Sequence, residues 1–236
     1  MTVNNHPTAR FDDVGWLTEA QMIEVDRVMI DDLHISLVQM MENAGRNLAQ
    51  LVIDLYQPSS VTVFAGSGGN GGGGLVAARH LANRGVDVSI TLGKPAEELT
   101  GVPSLQADIL DRMGVTISPE PRRSEVVIDA LIGYSLHGAP RGMVAELIES
   151  VAEIGDTVVS LDTPSGLDVT DGSAPGAVVA ADATMTLALP KIGLRGSRHV
   201  GDLYLADISV PPAVYEAMDA GPPLVFGSQP VIRLVG

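Results

Sequence analysis

Apolar positions change their rhythm twice along this 236-residue chain. Val38, Met41, Gly45, Leu48, Val52 and Leu55 recur every three or four residues, which predicts a helix with one buried stripe that ends before Pro58. Upstream, Thr18 and Gln21 have the spacing of a capping box, so a shorter helix is expected from there to about Met29. Residues 61–65 are instead short, apolar and β-branched; a glycine-rich stretch follows, then a helical pattern over 75–84 closed by Gly85. Strand patterns recur at 86–92, 126–131 and 157–161, with helical patterns at 103–113, closed by Gly114, and at 144–154, closed by Gly155. A parallel crossover needs a covering helix, so this alternation predicts an α/β fold, a three-layer αβα sandwich around a mostly parallel sheet. Residues 183–189 and 203–208 read as further strands. Residues 1–16 read as a polar N-terminal arm, and 213–236 as a loosely packed C-terminal tail around a short helical piece near Tyr215. With no internal repeat or linker, 1–236 is expected to form a single domain.

Composition narrows the function classes. A hydrophobic content of 45% allows one large core. The formal charge of −15, from 14 basic and 29 acidic residues, argues against nucleic acid or an anionic membrane as a partner. The absence of cysteine excludes disulfides and thiolate chemistry and fits a cytoplasmic protein. The N-terminus lacks the apolar core of a signal peptide, and no apolar run reaches the roughly 18 residues of a membrane span, so a soluble, intracellular protein is expected.

Candidate chemistry gathers at strand ends, where open α/β sheets bind ligands. The stretch VFAGSGGNGGGG, residues 63–74, contains a G-x-G-x-x-G pattern from Gly66 to Gly71. Glycines let backbone amides approach a phosphate, and the following helix N-terminus adds partial positive charge. A nicotinamide dinucleotide site expects an acidic residue about 20 positions on, but there the chain reads Leu92-Gly93-Lys94. Tight strand-to-helix packing with no ligand is the alternative. Asp129 and Asp162 each end an apolar strand and would converge on the glycine loop; the alternative is that each caps its own turn. Lys191 follows another strand and either supplies the pocket with a cation or is a solvated surface lysine. The five histidines lack metal-ligand spacing, although His137 lies in a candidate loop. Ser165 sits outside any nucleophile elbow.

Met40-Met41-Glu42-Asn43-Ala44-Gly45-Arg46, the glycine loop running into residues 74–81, Asp129-Ala130-Leu131-Ile132-Gly133, residues 162–168 beginning Asp162-Thr163-Pro164-Ser165-Gly166, and Lys191 before Gly193 together resemble the YjeF N-terminal domain family in order and spacing. The resemblance covers about residues 17–212. It implies a Rossmann-like, usually dimeric domain with NAD(P)H-hydrate epimerase activity, which interconverts the R and S forms of the hydrated nicotinamide cofactor for a companion dehydratase. It places hydrated NAD(P)H against Gly68, Gly69, Asn70, Gly71 and Gly72, against Gly133, Tyr134, Ser135, Leu136, His137, Gly138 and Ala139, and against Asp162. It also implies a potassium ion held by the first Asn of the loop, by Asp129 and by Ser165. Where the family reads G-P-G-N-N-G-G-D-G, Gly69 replaces that Asn and Gly73 the Asp. Asp162 with Lys191 is the expected proton donor and acceptor pair. With 236 residues, the dehydratase is expected on a separate chain. A divergent isomerase or lyase, or a non-catalytic nucleotide-binding scaffold, are the competing functions.

Overall fold

The computed structural model describes residues 6–221 and 226–236. Helix α1 (Glu19–Arg27) opens on the expected capping box: the Gln21 amide donates to Thr18 Oγ1 at 3.2 Å, and the Thr18 amide donates to Gln21 Oε1 at 3.0 Å. It runs on into a π-helical turn, Val28–Asp32. Helix α2 (Leu37–Tyr56) opens on a second capping box at Ser36 and Gln39, and buries Met41, Ala44, Gly45, Leu48 and Val52.

Among the described residues nine strands form one sheet: β1 (Thr8–Arg10), β2 (Ser60–Ala65), β3 (Asp87–Leu92), β4 (Thr116–Ile117), β5 (Ser124–Ala130), β6 (Gly155–Leu161), β7 (Ala183–Leu187), β8 (Asp202–Ala206) and β9 (Val231–Val235). Their order is β1-β9-β8-β7-β6-β5-β2-β3-β4, and every neighbouring pair is parallel except β8 with β9. Helices α3 (Gly69–Ala82), α4 (Gly101–Arg112), α5 (Gly142–Ile154) and α6 (Pro212–Ala217) complete the elements used below.

Alternation along β5 separates two cores. Val126 and Ile128 pack with Leu48, Leu75, Leu81 and Leu110 from α2, α3 and α4, whereas Val127 packs with Phe64, Val158 and the α5 residues Leu147, Ile148 and Val151. Helices therefore cover both faces, and the buried strands read as nearly continuous apolar runs for that reason. The chain builds outward from β2 through β3 to β4, then returns to the other side of β2 with β5. The resulting switch point lies between β2 and β5, which is where an open α/β sheet presents its crevice.

The fold departs from the sequence pattern in four places, the first being the expected polar N-terminal arm, in which residues 8–10 form β1 against β9 and Val14 is buried. Helix α3 begins at Gly69, not near Leu75, so most of the glycine stretch is helical. Gly155 does not close α5 with a left-handed turn; it opens β6 in extended conformation, and a Cβ there would meet Val127 Cγ2 at 2.5 Å. Residues 222–225 of the expected C-terminal tail lie outside the described residues, but its end is not loosely packed: residues 231–235 form β9, inserted between β8 and β1 with Leu234 opposite both Leu203 and Ala9. Five residues after a proline carry too little local signal to announce a strand; pairing on two sides supplies the order.

Candidate functional site

The glycine run does two jobs. Gly66 donates its amide to the Ala130 carbonyl at 3.0 Å, and a Cβ at this position would lie 1.9 Å from the Leu131 oxygen. A Cβ on Gly71 would lie 1.9 Å from the Gly66 oxygen, one on Gly72 2.7 Å from Val102 Cγ1, one on Gly73 2.9 Å from Leu161 Cδ2, and one on Gly74 2.4 Å from Ala130 Cβ. Glycine is thus what lets α3 settle onto β5, β6 and α4. Gly68 has no such neighbour within 4 Å, and Gly69 would meet only Leu37, at 3.6 Å. Gly68 is the N-cap of α3 and no side chain among the described residues caps the helix, so its first amides can meet an anion.

Those amides face a cavity of about 700 Å³, within the size range of small-molecule and cofactor sites. The glycine loop lines it from Gly66 to Asn70, the segment after β5 from Leu131 to His137 and from Ala139 to Arg141, and Asp162 from the end of β6. Of the expected ligand contacts, Gly71, Gly72 and Gly138 are not in the wall; Ser135, Leu136, His137 and Ala139 are. Leu37 and Met41 from α2, and Met22 and Asp26 from α1, complete the wall used below.

Asp162 is held in a left-handed backbone conformation, φ 66°, which Asp tolerates better than most residues. Its Oδ1 accepts from the Lys191 ammonium, from the Leu187 amide at 3.3 Å and from Thr186 Oγ1 at 3.4 Å; Oδ2 accepts from the Tyr134 amide at 3.1 Å. Lys191 is fully buried, not a solvated surface lysine, and it also donates to the Leu187 carbonyl at 2.9 Å and to Thr186 at 3.3 Å. The Leu17 amide donates to Pro190 and the Ile192 amide to Leu17, which fixes the segment carrying Lys191 against the start of the chain. Lys191 therefore stands behind Asp162 and outside the pocket wall. Removing one member of such a buried pair leaves an uncompensated charge, at a cost of about 3–5 kcal/mol.

Asp129 and Ser165 also meet, one layer behind the wall. The Asp129 carboxylate accepts from Ser165 Oγ at 2.5 Å, Ser165 N at 2.8 Å, Ser160 Oγ at 2.8 Å and Leu131 N at 3.3 Å. Burial nevertheless pushes this carboxyl above the usual range, outweighing all four bonds. The Ile132 amide donates to Ser165 Oγ at 2.9 Å, so the cluster anchors the loop that carries Tyr134. Asp129 and Ser165 offer hard oxygens, the donor type a potassium ion requires, and Gly69 adds no side-chain oxygen. Asn70 does carry one: both its amide atoms are buried without a hydrogen-bond partner among the described residues, against Gly133. Among the described residues, no three His, Cys, Asp or Glu side chains converge as a transition-metal site.

Asp26 and Arg141 were not anticipated. Asp26 belongs to α1, and its Oδ2 accepts from the Tyr134 hydroxyl at 2.6 Å. Burial pushes its carboxyl up, the Tyr134 bond and the Lys191 charge oppose this, and the Asp162 charge adds to it. Burial and then Asp26 push the Tyr134 phenol upward in turn. The one local signal was that Asp26 directly follows Val25 in the buried stripe Met22, Val25, Met29.

Fold and site together define a Rossmann-like α/β protein with a switch-point pocket lined by Asp162, which the buried Lys191 holds from behind. The chain belongs to the family described as YjeF-related protein N-terminus, which matches residues 37–193. It is 46% identical over 216 residues to the NAD(P)H-hydrate epimerase of Dehalogenimonas lykanthroporepellens, covering 88% of this chain and 87% of that protein. It is 38% identical to the NAD(P)H-hydrate epimerase of Truepera radiovictrix, with 83% and 90% covered. Against the bifunctional NAD(P)H-hydrate repair enzyme Nnr of Hyperthermus butylicus it is 40% identical over 80% of its own length, and spans 38% of that longer protein. The crystal structure of yeast ynu0, YNL200c, shares the fold, with a TM-score of 0.80 over 93% of this chain and 99% of that one at 24% identity.

Proposed function

We propose that this protein is an NAD(P)H-hydrate epimerase, an isomerase acting on the R and S forms of hydrated NADH and NADPH. The observation that carries the reading is Asp162, presented to the pocket by the buried Lys191 and facing the uncapped start of α3. In this reading the amides from Gly68 to Asn70 take the phosphates, and the loop from Gly133 to Ala139 takes the nicotinamide end. The epimerised carbon bears a hydroxyl beside a ring nitrogen. It changes hand only through a planar state, reached by loss and return of the hydroxyl or by ring opening, and either route moves a proton. Asp162 accepts or returns that proton, and Lys191 holds its carboxylate in place.

Asp129 and Ser165, with Asn70 near the loop, would hold a potassium ion. When bound, the ion would supply a fixed positive charge that compensates the buried Asp129. A separate NAD(P)H-hydrate dehydratase would consume the product. A homodimer would cover the exposed Ile23, Ile30, Leu33 and Val38 along the α1–α2 segment, and sedimentation would reveal it. Among the described residues no helix is long and apolar enough to cross a membrane.

The direct test incubates the protein with each separated hydrate epimer, with and without potassium, and follows interconversion by chromatography. Acceleration over the spontaneous rate is expected. No acceleration under either condition overturns the reading.

A further inference from the structure

Tyr134 touches two carboxylates at once. Its backbone amide donates to Asp162 Oδ2 at 3.1 Å, and its hydroxyl donates to Asp26 Oδ2 at 2.6 Å. All three residues line the same cavity, Asp26 from α1, Tyr134 from the loop after β5 and Asp162 from the end of β6. The carboxylates thus stand at the two ends of one tyrosine, with a ligand-sized space beside them. Their partners differ: Asp162 is in an ion pair with Lys191, while Asp26 has the Tyr134 hydroxyl and no cation within salt-bridge distance among the described residues. Two acids placed in such unlike surroundings divide into a proton donor and a proton acceptor.

We propose that Asp26 is a second catalytic residue, the proton donor that works opposite Asp162 across the pocket. The proposal rests on the epimerase reading above. Asp26 gives its carboxyl proton to the hydroxyl on the carbon beside the ring nitrogen. The C–O bond breaks, its electron pair leaves with the oxygen as water, and the nitrogen lone pair closes a C=N⁺ bond. Water then adds to the other face, the C=N π pair returns to nitrogen, and the entering water gives one proton to Asp162. Asp26 regains its proton, and Asp162 loses its own, by exchange with solvent. The opposite epimer uses the same two groups in reversed roles.

The charged and titratable groups facing Asp26 are Tyr134, Asp162 and Lys191. Burial places the loss of its proton above the ordinary carboxylate range, so wild-type kcat/KM is expected to fall as pH rises through that higher range. Asp26→Asn should lower kcat on the order of 100-fold or more with little change in KM, and should remove this high-pH limb. Asp26→Glu should recover part of the rate. If Asp26→Asn does not fold, Tyr134→Phe decides: it keeps the amide bond to Asp162 and removes a bond that lowers the Asp26 value, so the limb should move to higher pH. Wild-type kcat in Asp26→Asn, a reduced rate with the limb intact, or an unmoved limb in Tyr134→Phe overturns the proposal. A wild-type protein that fails to accelerate either epimer removes the reading beneath it, a different result from an active wild type with an indifferent Asp26.

Discussion

Gly68 and Gly69 look into the pocket with room to spare, whereas Gly71 to Gly74, a few residues later in the same run, are wedged against the Gly66 carbonyl, Val102, Leu161 and Ala130. One composition thus answers two unrelated demands. At the pocket end, bare backbone leaves amides open to a ligand. At the packed end, it lets α3 approach its neighbours closer than any side chain would allow. The difference also separates the two departures from the family loop, of which crowding bears on Gly73 alone. Gly73 is crowded by Leu161 at 2.9 Å and Met41 at 3.4 Å, so an Asp there would need both to move; Gly69 meets only Leu37, at ordinary contact distance. One position is closed to a side chain and the other is open.

The sharpest way to break this contrast is Gly71→Ala. Its Cβ would fall 1.9 Å from a backbone oxygen that cannot move aside, so a loss of about 4 kcal/mol or more is expected, seen as insoluble protein or a collapsed denaturation midpoint. Asp162→Asn tests the pocket end. It should lower the epimerisation rate on the order of 100-fold, equivalent to about 2.7 kcal/mol of barrier, and an unchanged rate in purified folded protein would contradict its assigned role. Gly74→Ala puts a methyl group 2.4 Å from Ala130 Cβ, an overpacking expected to cost about 1–3 kcal/mol in urea unfolding.

Gly69→Ala has the opposite sign. The position is helical, its φ is not left-handed and the space is open, so stability should rise by about 0.4–1 kcal/mol. A destabilised Gly69→Ala would show that the two ends are not distinct. The smallest effect is expected at Glu42, which ties α2 to α3 through Arg79 and His80. Burial alone would raise its carboxyl, but the bonds from His80 and Arg79 win and hold it below its ordinary value. Its contribution is therefore present above the ordinary glutamate range and lost as pH falls through the lowered value. The stability gap between wild type and Glu42→Gln should close on acidification, in melts recorded across pH. The carboxylate is substantially exposed, so the gap should be small.

The order of elements was legible because it is written in short-range pattern. The Thr18–Gln21 box, the three-to-four-residue stripe of α2 and the β-branched strand at 60–65 each depend on residues a turn or two apart. Asp129 and Asp162 were legible as acids at strand ends for the same reason, whereas Ser165 entered only through the family resemblance. The start of α3 was not: glycine reads locally as loop, and only contacts with Ala130, Leu161 and Val102 explain a helix built from it. Strand β9 was missed because its pairing partners lie near residues 9 and 203.

The sequence by itself determined the alternation of strands and helices, hence the parallel sheet and the crevice at its strand ends. Only the tertiary structure decided which charges meet there. Lys191 became a buried support for Asp162 29 residues away, and Asp26 joined Tyr134 across 108 residues. Helix and strand signals arise from local backbone and side-chain preferences, whereas these pairings follow from the crossing of whole elements, to which each residue contributes without recording its partner.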